Sequence, residues 1–298
     1  MMGRTVSEVG SRVSARPTLL AYAILTKPGI VVMVLISTLA GMYIAQKGLP
    51  SHHLVIWTLL GIGMSTAGAA TLNNYLDRDI DMVMRRTSGR PIPSGGVQPH
   101  RALALGLALS IMSAFVLYNY VNWLSAAVST AAIFNYVVMY TLWSKRNTPL
   151  ATFIGGVGGA TPPVIGYIAV RPELDLTALV LFLIIFAWQH PHFWSLALKY
   201  VDEYKSAGVR NLPVVSGVGE TKKQIALWAT LLAVASLFPY FTGMAGAAYL
   251  TCAAVSGVTF MGMSLWFLFS ARKVAMPLFY YSIVHLPLLF CMMLLDMA

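Results

Sequence analysis

Charged residues are scarce in this sequence: they make up 10% of its 298 residues, against about 25% in ordinary soluble domains. Hydrophobic residues make up 58%, and the mean hydropathy is +0.72. So few charges cannot cover the surface of a soluble domain of this size. The composition therefore indicates an integral membrane protein.

Cysteine is also scarce. Cys252 and Cys291 are the two cysteines of the chain, and both fall inside long apolar runs without neighbouring metal-ligating residues. This pattern argues against a disulfide framework or a thiolate metal site. We expect both to act as small apolar packing residues.

Nine apolar stretches are long enough to cross a bilayer as helices, which takes about 20 residues. They cover residues 28–46, 54–73, 102–120, 123–143, 150–170, 176–198, 223–243, 246–270 and 275–296. The first begins too late and is too long for a cleavable signal peptide. We predict an all-α polytopic membrane protein with nine transmembrane helices in one bundle. Residues 17–298 would form its single domain, and residues 1–16 a mobile basic tail.

Acidic residues number 10 against 20 basic ones, which gives a net charge of +10. Going along the chain, 18 of the 20 basic residues fall on one side of the predicted spans, leaving Lys47 and Arg171 on the other. The 18 are Arg4, Arg12, Arg16, Lys27, Arg78, Arg85, Arg86, Arg90, Arg101, Lys145, Arg146, Lys199, Lys205, Arg210, Lys222, Lys223, Arg272 and Lys273. The positive-inside rule then predicts a cytoplasmic N-terminus and an external C-terminus. The net charge is therefore explained mostly by topology and requires no nucleic-acid partner; anionic lipid of the bilayer or an anionic substrate is the further partner that it would suit.

An unusually charged stretch, NNYLDRDIDMVMRRTSGRPIPSGG, covers residues 73–96. Its D-x-D-x-D pattern is not a calcium loop, because Met82 and Ser88 stand where such a loop needs Gly and Glu. We predict a helix that continues the second span to Gly89. On a 100° wheel one face carries Asn74, Asp77, Arg78, Asp81 and Arg85, and Asp79 lies off it.

Magnesium prefers oxygen ligands, and Asn74, Asp77 and Asp81 would supply them. Arginines 85, 86 and 90 would neutralise a phosphate bound beside the metal. The alternative is a solvated helix end with pairs such as Asp81–Arg85. Acids at a membrane edge are costly unless they are used, which favours the metal site.

A second charged segment, residues 188–217, ends the sixth span on the same predicted side. One helix face there carries His192, Ser195, Lys199 and Glu203, with Asp202 at its edge and His190 opposite. Two acidic clusters facing each other across a bundle would hold two magnesium ions around a diphosphate.

The pattern of Asn73, Asp77 and Asp81 resembles the first aspartate-rich motif of the UbiA-type intramembrane prenyltransferases. Within that superfamily the ordered motifs are similar to the haem branch, the protohaem IX farnesyltransferases. They are LTKPGI (25–30), NNYLDRDID (73–81), RRTSGRPIPSG (85–95), YTLWSKRNTP (140–149), IGGVGGATPPVIGY (154–167), WQHPHFW (188–194) and DEYKSAGVRNLPVV (202–215). Many superfamily members have Asp at position 74, often have Arg at position 24, and have a second motif more widely spaced than Asp202-Glu203-Tyr204.

The resemblance implies transfer of a farnesyl group from farnesyl diphosphate to a vinyl group of haem B, with addition of water, giving haem O and diphosphate. It implies Mg²⁺ as cofactor, a bacterial inner membrane, an active site toward the cytoplasm, and a downstream haem-modifying enzyme or oxidase assembly factor as partner. The implied catalytic residues are Asn74, Asp77, Asp81, Lys199, Asp202 and Glu203. Of these, Asn74, Asp77, Asp81 and Glu203 would bind metal. Diphosphate would be bound by Lys27, Arg85, Arg86, Arg90, Lys145 and Arg210.

Two other functions remain open from the residues: a related prenyltransferase with an aromatic or quinone-precursor acceptor, and a secondary transporter. Transporters usually place their sites near the midplane, whereas both charged segments end their spans. For haem we expect His192 to be the axial ligand, the alternative being that His190 and His192 hydrogen-bond within the bundle. We expect His285 to pack or hydrogen-bond in the last span, the alternative being a ligand role. We expect the glycines of residues 155–159 to allow close helix contact.

Overall fold

A computed structural model describes residues 19–297, and all of their regular secondary structure is helical. Nine helices in this part of the chain have the length and hydropathy to cross a membrane, which confirms the predicted nine spans. In chain order, spans 1 to 9 are Pro28–Gln46, His52–Leu76, Pro99–Tyr120, Trp123–Asn147, Ala151–Val170, Leu176–Lys199, Leu212–Phe241, Ala247–Phe269 and Met276–Leu295. The predicted tail, with Arg4, Arg12 and Arg16, lies outside the described residues.

The spans begin at local signals in the sequence. Side chains of Ser51, Asn122, Asp175 and Asn211 each accept a hydrogen bond from a backbone N–H in the first turn of the following helix. Such caps satisfy amide groups that the helix itself leaves unpaired. Span 7 begins at Leu212, eleven residues before its predicted start at 223. The helix starts at the Asn211 cap, and the polar residues in its first turns exclude this part from a prediction based on hydropathy.

Several spans are interrupted. Span 5 is divided at Ala160 into helices Ala151–Gly159 and Thr161–Val170, where Pro162 and Pro163 follow the break. Span 4 passes from the α-helix Trp123–Phe134 into a π-helix, Asn135–Ser144, and ends in the short helix Lys145–Asn147. Span 7 bends at Gly217, whose φ of 77° only glycine adopts readily. Irregular backbone within membrane spans is tolerated where protein covers it or where it lines a cavity.

The predicted helix from span 2 to Gly89 is wrong in its length. Span 2 ends at Leu76, a separate helix covers Arg78–Val83, and Met84 is extended. Residues 85–96 then form successive turns closed by backbone hydrogen bonds such as Ser94 N–H to Arg90 O at 3.0 Å. The arginines of this segment therefore do not continue the helix face that carries the aspartates.

Spans 1 and 5 approach each other closely enough for their backbones to touch. A Cβ at Gly41 would overlap the carbonyl of Pro163, and one at Gly166 would overlap the carbonyl of Thr38. Small residues allow this approach of two backbones in a membrane protein. Spans 6 to 9 instead pack around large buried side chains, among them Trp194, Tyr249 and Phe260.

The outer surface of the bundle is apolar, with strongly exposed side chains such as Phe241, Phe269 and Leu295. Cys252 is half-buried and Cys291 is exposed on this surface, and both are free thiols. Together with the nine spans, this surface identifies a multi-pass membrane protein. Contacts described below bring the connections after spans 2, 4 and 6 together at one end of the bundle, whereas the predicted cytoplasmic N-terminus and external C-terminus stay predictions.

Candidate active site

The three aspartates after span 2 lie in two different environments. Asp77 and Asp81 are 1% and 2% exposed, whereas the side chain of Asp79 is 56% exposed. Asp79 receives two parallel hydrogen bonds from the Arg146 guanidinium, both 2.7 Å long. These bonds lower the pKa of Asp79 to about 2. Asp79 therefore ties the connection after span 2 to the end of span 4, and Asp77 and Asp81 face the protein interior.

Asp77 lies at the break between span 2 and the helix Arg78–Val83. Its Oδ2 accepts hydrogen bonds from Lys145 Nζ at 2.6 Å and from Asn73 Nδ2 at 2.8 Å. Its Oδ1 is buried and has no hydrogen-bond partner among residues 19–297. A buried carboxylate oxygen without a partner is costly, so Oδ1 is available to a ligand.

Asn73, rather than Asn74, accompanies Asp77. Asn73 also donates to Thr141 Oγ1 at 3.1 Å, and its Oδ1 accepts from Lys27 Nζ at 2.8 Å. The Asn74 amide nitrogen donates instead to the carbonyls of Leu25 and Ala70, each at 3.0 Å. The metal role of Asn74 stays a prediction. In the sequence, the four-residue spacing between Asn73 and Asp77 indicates that these two side chains lie beside each other on a helix.

Asp81 is paired with Arg90. One guanidinium nitrogen of Arg90 lies 2.9 Å and 2.7 Å from the two carboxylate oxygens. The predicted alternative, a helical Asp81–Arg85 pair, is wrong: the helix ends at Val83, and the following turns bring Arg90 back while Arg85 is exposed.

Lys27 precedes span 1 in a left-handed backbone conformation with φ 52°. Burial, assisted by the cations Arg90 and Lys145, lowers the pKa of Lys27 to about 7 against the opposing charges of Asp77 and Asp81. Three cationic side chains thus surround two buried carboxylates. This arrangement leaves an excess of positive charge that suits an anionic ligand.

The second charged segment reaches the same end of the bundle. Glu203 Oε2 accepts the backbone N–H of Arg86 at 3.4 Å, and Arg210 N–H donates to the carbonyl of Lys145 at 3.2 Å. The Arg86 guanidinium lies 5.4 Å from the centre of the Tyr200 ring. Side chains of Lys199, Asp202, Arg85 and Arg210 are exposed. The structure therefore brings the two predicted segments together, and the roles of their residues remain predictions.

A magnesium ion fits this site in part. No group of three or more His, Cys, Asp or Glu side chains within residues 19–297 is arranged to hold a metal ion by itself. Asp77 Oδ1 offers one buried oxygen without a partner, whereas both oxygens of Asp81 are engaged by Arg90. Magnesium usually takes one or two carboxylates and completes its shell with phosphate oxygens and water. The donor set therefore suits an ion that arrives with a phosphate group.

His192 lies on span 6, facing span 9. Its Nδ1 is 2.7 Å from Ser282 Oγ, and its ring lies between Trp188 and Phe279, with centroid distances of 4.4 Å and 4.8 Å. Its Nε2 has no hydrogen-bond partner in the described part of the chain. His190 points elsewhere, as predicted: it is fully buried, its Nδ1 donates to Phe186 O, and it stacks on Trp228 at 3.9 Å.

Two further expectations concern packing. A Cβ at Gly155 would lie 2.7 Å from the Tyr140 ring, and one at Gly158 would lie 3.1 Å from the Ala132 carbonyl. The glycines of span 5 therefore allow close contact with span 4, as predicted. His285 is buried beside Phe260 and Tyr281, so it packs in the last span as expected, and neither of its ring nitrogens has a hydrogen-bond partner within residues 19–297.

Residues 34–290 match the UbiA prenyltransferase family. The chain belongs to this family. A protoheme IX farnesyltransferase from Aquifex aeolicus is 47% identical, with 93% of this chain and 95% of the relative covered. One from Neorickettsia sennetsu is 42% identical, with 94% and 93% covered.

Solved structures share the fold. Digeranylgeranylglyceryl phosphate synthase superposes with a TM-score of 0.79 at 18% identity, covering 93% of this chain and 98% of that one. A UbiA homologue from Archaeoglobus fulgidus bound to GPP and Mg²⁺ has a TM-score of 0.60 at 17% identity, covering 92% and 99%. The family match and the relatives with 42–47% identity identify the protein as a prenyltransferase, and the transporter alternative is set aside.

Proposed function

We propose that the protein transfers the farnesyl group of farnesyl diphosphate to a vinyl group of haem B, giving haem O and diphosphate. Full-length similarity to protoheme IX farnesyltransferases supports the choice of substrates. The observation that carries the proposal is the partnerless Oδ1 of Asp77 among the cations Lys27, Arg90 and Lys145. A diphosphate bound with a divalent cation matches both features.

In this reaction the bond between farnesyl C1 and the diphosphate oxygen breaks, and its electron pair leaves with diphosphate. Lys27, Lys145 and Arg90 offset the growing negative charge from fixed positions, which is the main way enzymes stabilise a leaving group. Magnesium, when bound at Asp77, supplies further charge neutralisation there. Asn73 holds both Lys27 and Asp77 in place through its amide.

The vinyl group of haem B then forms a C–C bond with farnesyl C1, and a positive charge develops on the neighbouring vinyl carbon. Water adds its oxygen to that carbon and loses a proton, which leaves a hydroxyl group. No side chain of the protein needs to form a covalent bond in this sequence. Enclosure by apolar spans limits premature capture of the cation by water.

We place the haem beside His192, whose Nε2 would bind the iron as an axial ligand. Because His192 lies on span 6, seven residues before Lys199 at its end, it is near the charged end of the bundle. We further propose the bacterial inner membrane as location, with the charged end toward the cytoplasm. A downstream haem-modifying enzyme or oxidase assembly factor would accept the product.

The test uses purified protein with Mg²⁺, farnesyl diphosphate and haem B, and identifies the products by mass spectrometry. We expect a haem product heavier by one farnesyl group and one hydroxyl group. A parallel reaction offers 4-hydroxybenzoate as acceptor. A prenylated benzoate without a modified haem would contradict the proposal in favour of an aromatic acceptor.

A further inference from the structure

The contact between His192 and Ser282 determines where the proton lies on the histidine ring. In a neutral imidazole one ring nitrogen carries the proton and the other has a free lone pair. The Ser282 hydroxyl lies 2.6 Å from the backbone carbonyl of Phe279 and 2.7 Å from His192 Nδ1. Both are hydrogen-bond distances, and each contact therefore needs one proton.

The single hydroxyl proton of Ser282 is used in the first contact. A carbonyl oxygen has no proton to give, so Ser282 must donate to Phe279 O. The Ser282 oxygen is then an acceptor for the second contact, and His192 Nδ1 must be the donor. The proton of the neutral ring is thus on Nδ1, and the lone pair is on Nε2.

The surroundings hold the ring in this orientation. Trp188 and Phe279 cover its two faces at interplanar angles of 20° and 28°. Trp188 Nε1 also donates to the backbone carbonyl of Ser282 at 2.8 Å, which fixes span 6 against span 9. Ser282 is fully buried, and no carboxylate within residues 19–297 forms an ion pair with the ring.

We infer that Ser282 is a positioning residue that holds His192 in the Nδ1–H tautomer and so presents the lone pair of Nε2 to the haem iron. This inference rests on the proposed function, in which His192 binds haem. Histidines that bind metals usually donate their other ring N–H to a fixed acceptor, and removing that acceptor typically costs about 10- to 100-fold in metal affinity. Ser282 supplies such an acceptor from a different span.

The first measurement does not depend on haem. Nitrogen NMR of protein with ¹⁵N-labelled histidine distinguishes protonated from unprotonated ring nitrogens, and His192→Gln assigns the signals of this ring. We expect Nδ1 of His192 to carry the proton in the wild type, and a mixture of tautomers in Ser282→Ala. His190 should not change, because its Nδ1 donates to the carbonyl of Phe186 in its own helix. A proton on Nε2 of His192 in the wild type would overturn the inference.

The second measurement is titration with haem B, followed by absorption. We expect Ser282→Ala to weaken haem binding about 10-fold or more and to move the spectrum toward that of His192→Ala, with farnesyl diphosphate binding unchanged. Ser282→Thr, which keeps the hydroxyl, should behave as the wild type. Ser264→Ala is the matched control. Ser264 is also fully buried and, like Ser282, donates to a carbonyl three residues earlier in its own helix, but it does not receive a hydrogen bond from His192.

The outcomes separate the two ideas. If His192→Ala loses haem binding but Ser282→Ala keeps the wild-type tautomer, spectrum and affinity, the positioning role of Ser282 is wrong. His192 then remains the proposed axial ligand. If His192→Ala keeps the wild-type haem spectrum and affinity, the axial ligand is wrong, and the inference falls with it. If no haem is farnesylated, the proposed reaction fails whatever the tautomer.

Discussion

Replacing Asp77 with Asn tests the charged site most directly, because the exposed Asp79 provides a control two residues away. Asp77→Asn keeps the shape of the side chain but removes its charge, so Oδ1 loses most of its attraction for a divalent cation. Lys145 also loses the negative charge that it contacts at 2.6 Å. Asp79→Asn removes a charge of the same kind from a side chain that is 56% exposed.

The expected magnitudes differ accordingly. Removing one partner of a buried ion pair costs about 3–5 kcal/mol of stability. The amide oxygen of Asn can still accept a hydrogen bond from Lys145, so for Asp77→Asn we expect a smaller loss of about 1–3 kcal/mol. Removing a group that stabilises transition-state charge typically lowers kcat about 100- to 1000-fold, and we expect a loss of that size. An exposed ion pair contributes about 0.2–1 kcal/mol, so Asp79→Asn should keep most of the rate and stability.

The assay follows farnesylated product by mass at saturating magnesium, together with thermal unfolding in detergent. Binding of farnesyl diphosphate without metal is measured as well. It should be retained or become tighter in Asp77→Asn, because the site then has more net positive charge. Equal rate losses in the two variants, or more than about a tenth of the wild-type rate in Asp77→Asn, would refute the role given to Asp77.

Three further predictions follow from packing, charge and topology. Gly166→Ala should lower the free energy of unfolding by about 1–3 kcal/mol, because its methyl group would overlap the Thr38 carbonyl and force spans 1 and 5 apart. Gly63→Ala should be nearly neutral, because its Cβ would make only an ordinary contact with the Leu35 side chain at 3.8 Å; equal unfolding temperatures would contradict this. Because the pKa of Lys27 is about 7, its charge is lost as pH rises through 7, so affinity for farnesyl diphosphate should fall between about pH 6 and 8. Lys27→Arg should remove that dependence, and an unchanged pH profile in the variant would exclude Lys27 as its source. Cysteines placed at Ser94 and Ser51 in a cysteine-free background should react with impermeant thiol reagents from opposite sides of the membrane, Ser94 from the cytoplasm; labelling of both from one side would overturn the predicted topology.

The fold was largely readable from the sequence, because its main determinants are local. A span needs a long apolar run, and nine such runs are visible without any knowledge of their packing. Capping residues and prolines mark where several spans begin or break, as at Asp175 and Pro162. Where local signals conflict, boundaries move: the cap at Asn211 starts span 7 in a polar stretch that hydropathy alone leaves out.

The partners within the site depended on tertiary structure. Helical periodicity separated Asp77 and Asp81 from Asp79, but it paired Asp81 with Arg85, since a wheel assumes that the helix continues. The turns after Val83 instead bring Arg90 into contact with Asp81. No periodic pattern predicts that Lys145 reaches Asp77 across 68 residues.

The same reasoning applies to the histidines. The sequence by itself determined that His190 and His192 face different sides of span 6, because one residue between them rotates the helix by about 200°. Only the packing of span 9 against span 6 places Ser282, 90 residues away, at His192 Nδ1. A run of apolar residues specifies that a helix crosses the membrane, whereas side-chain contacts between helices depend on how each is rotated and tilted against its neighbours.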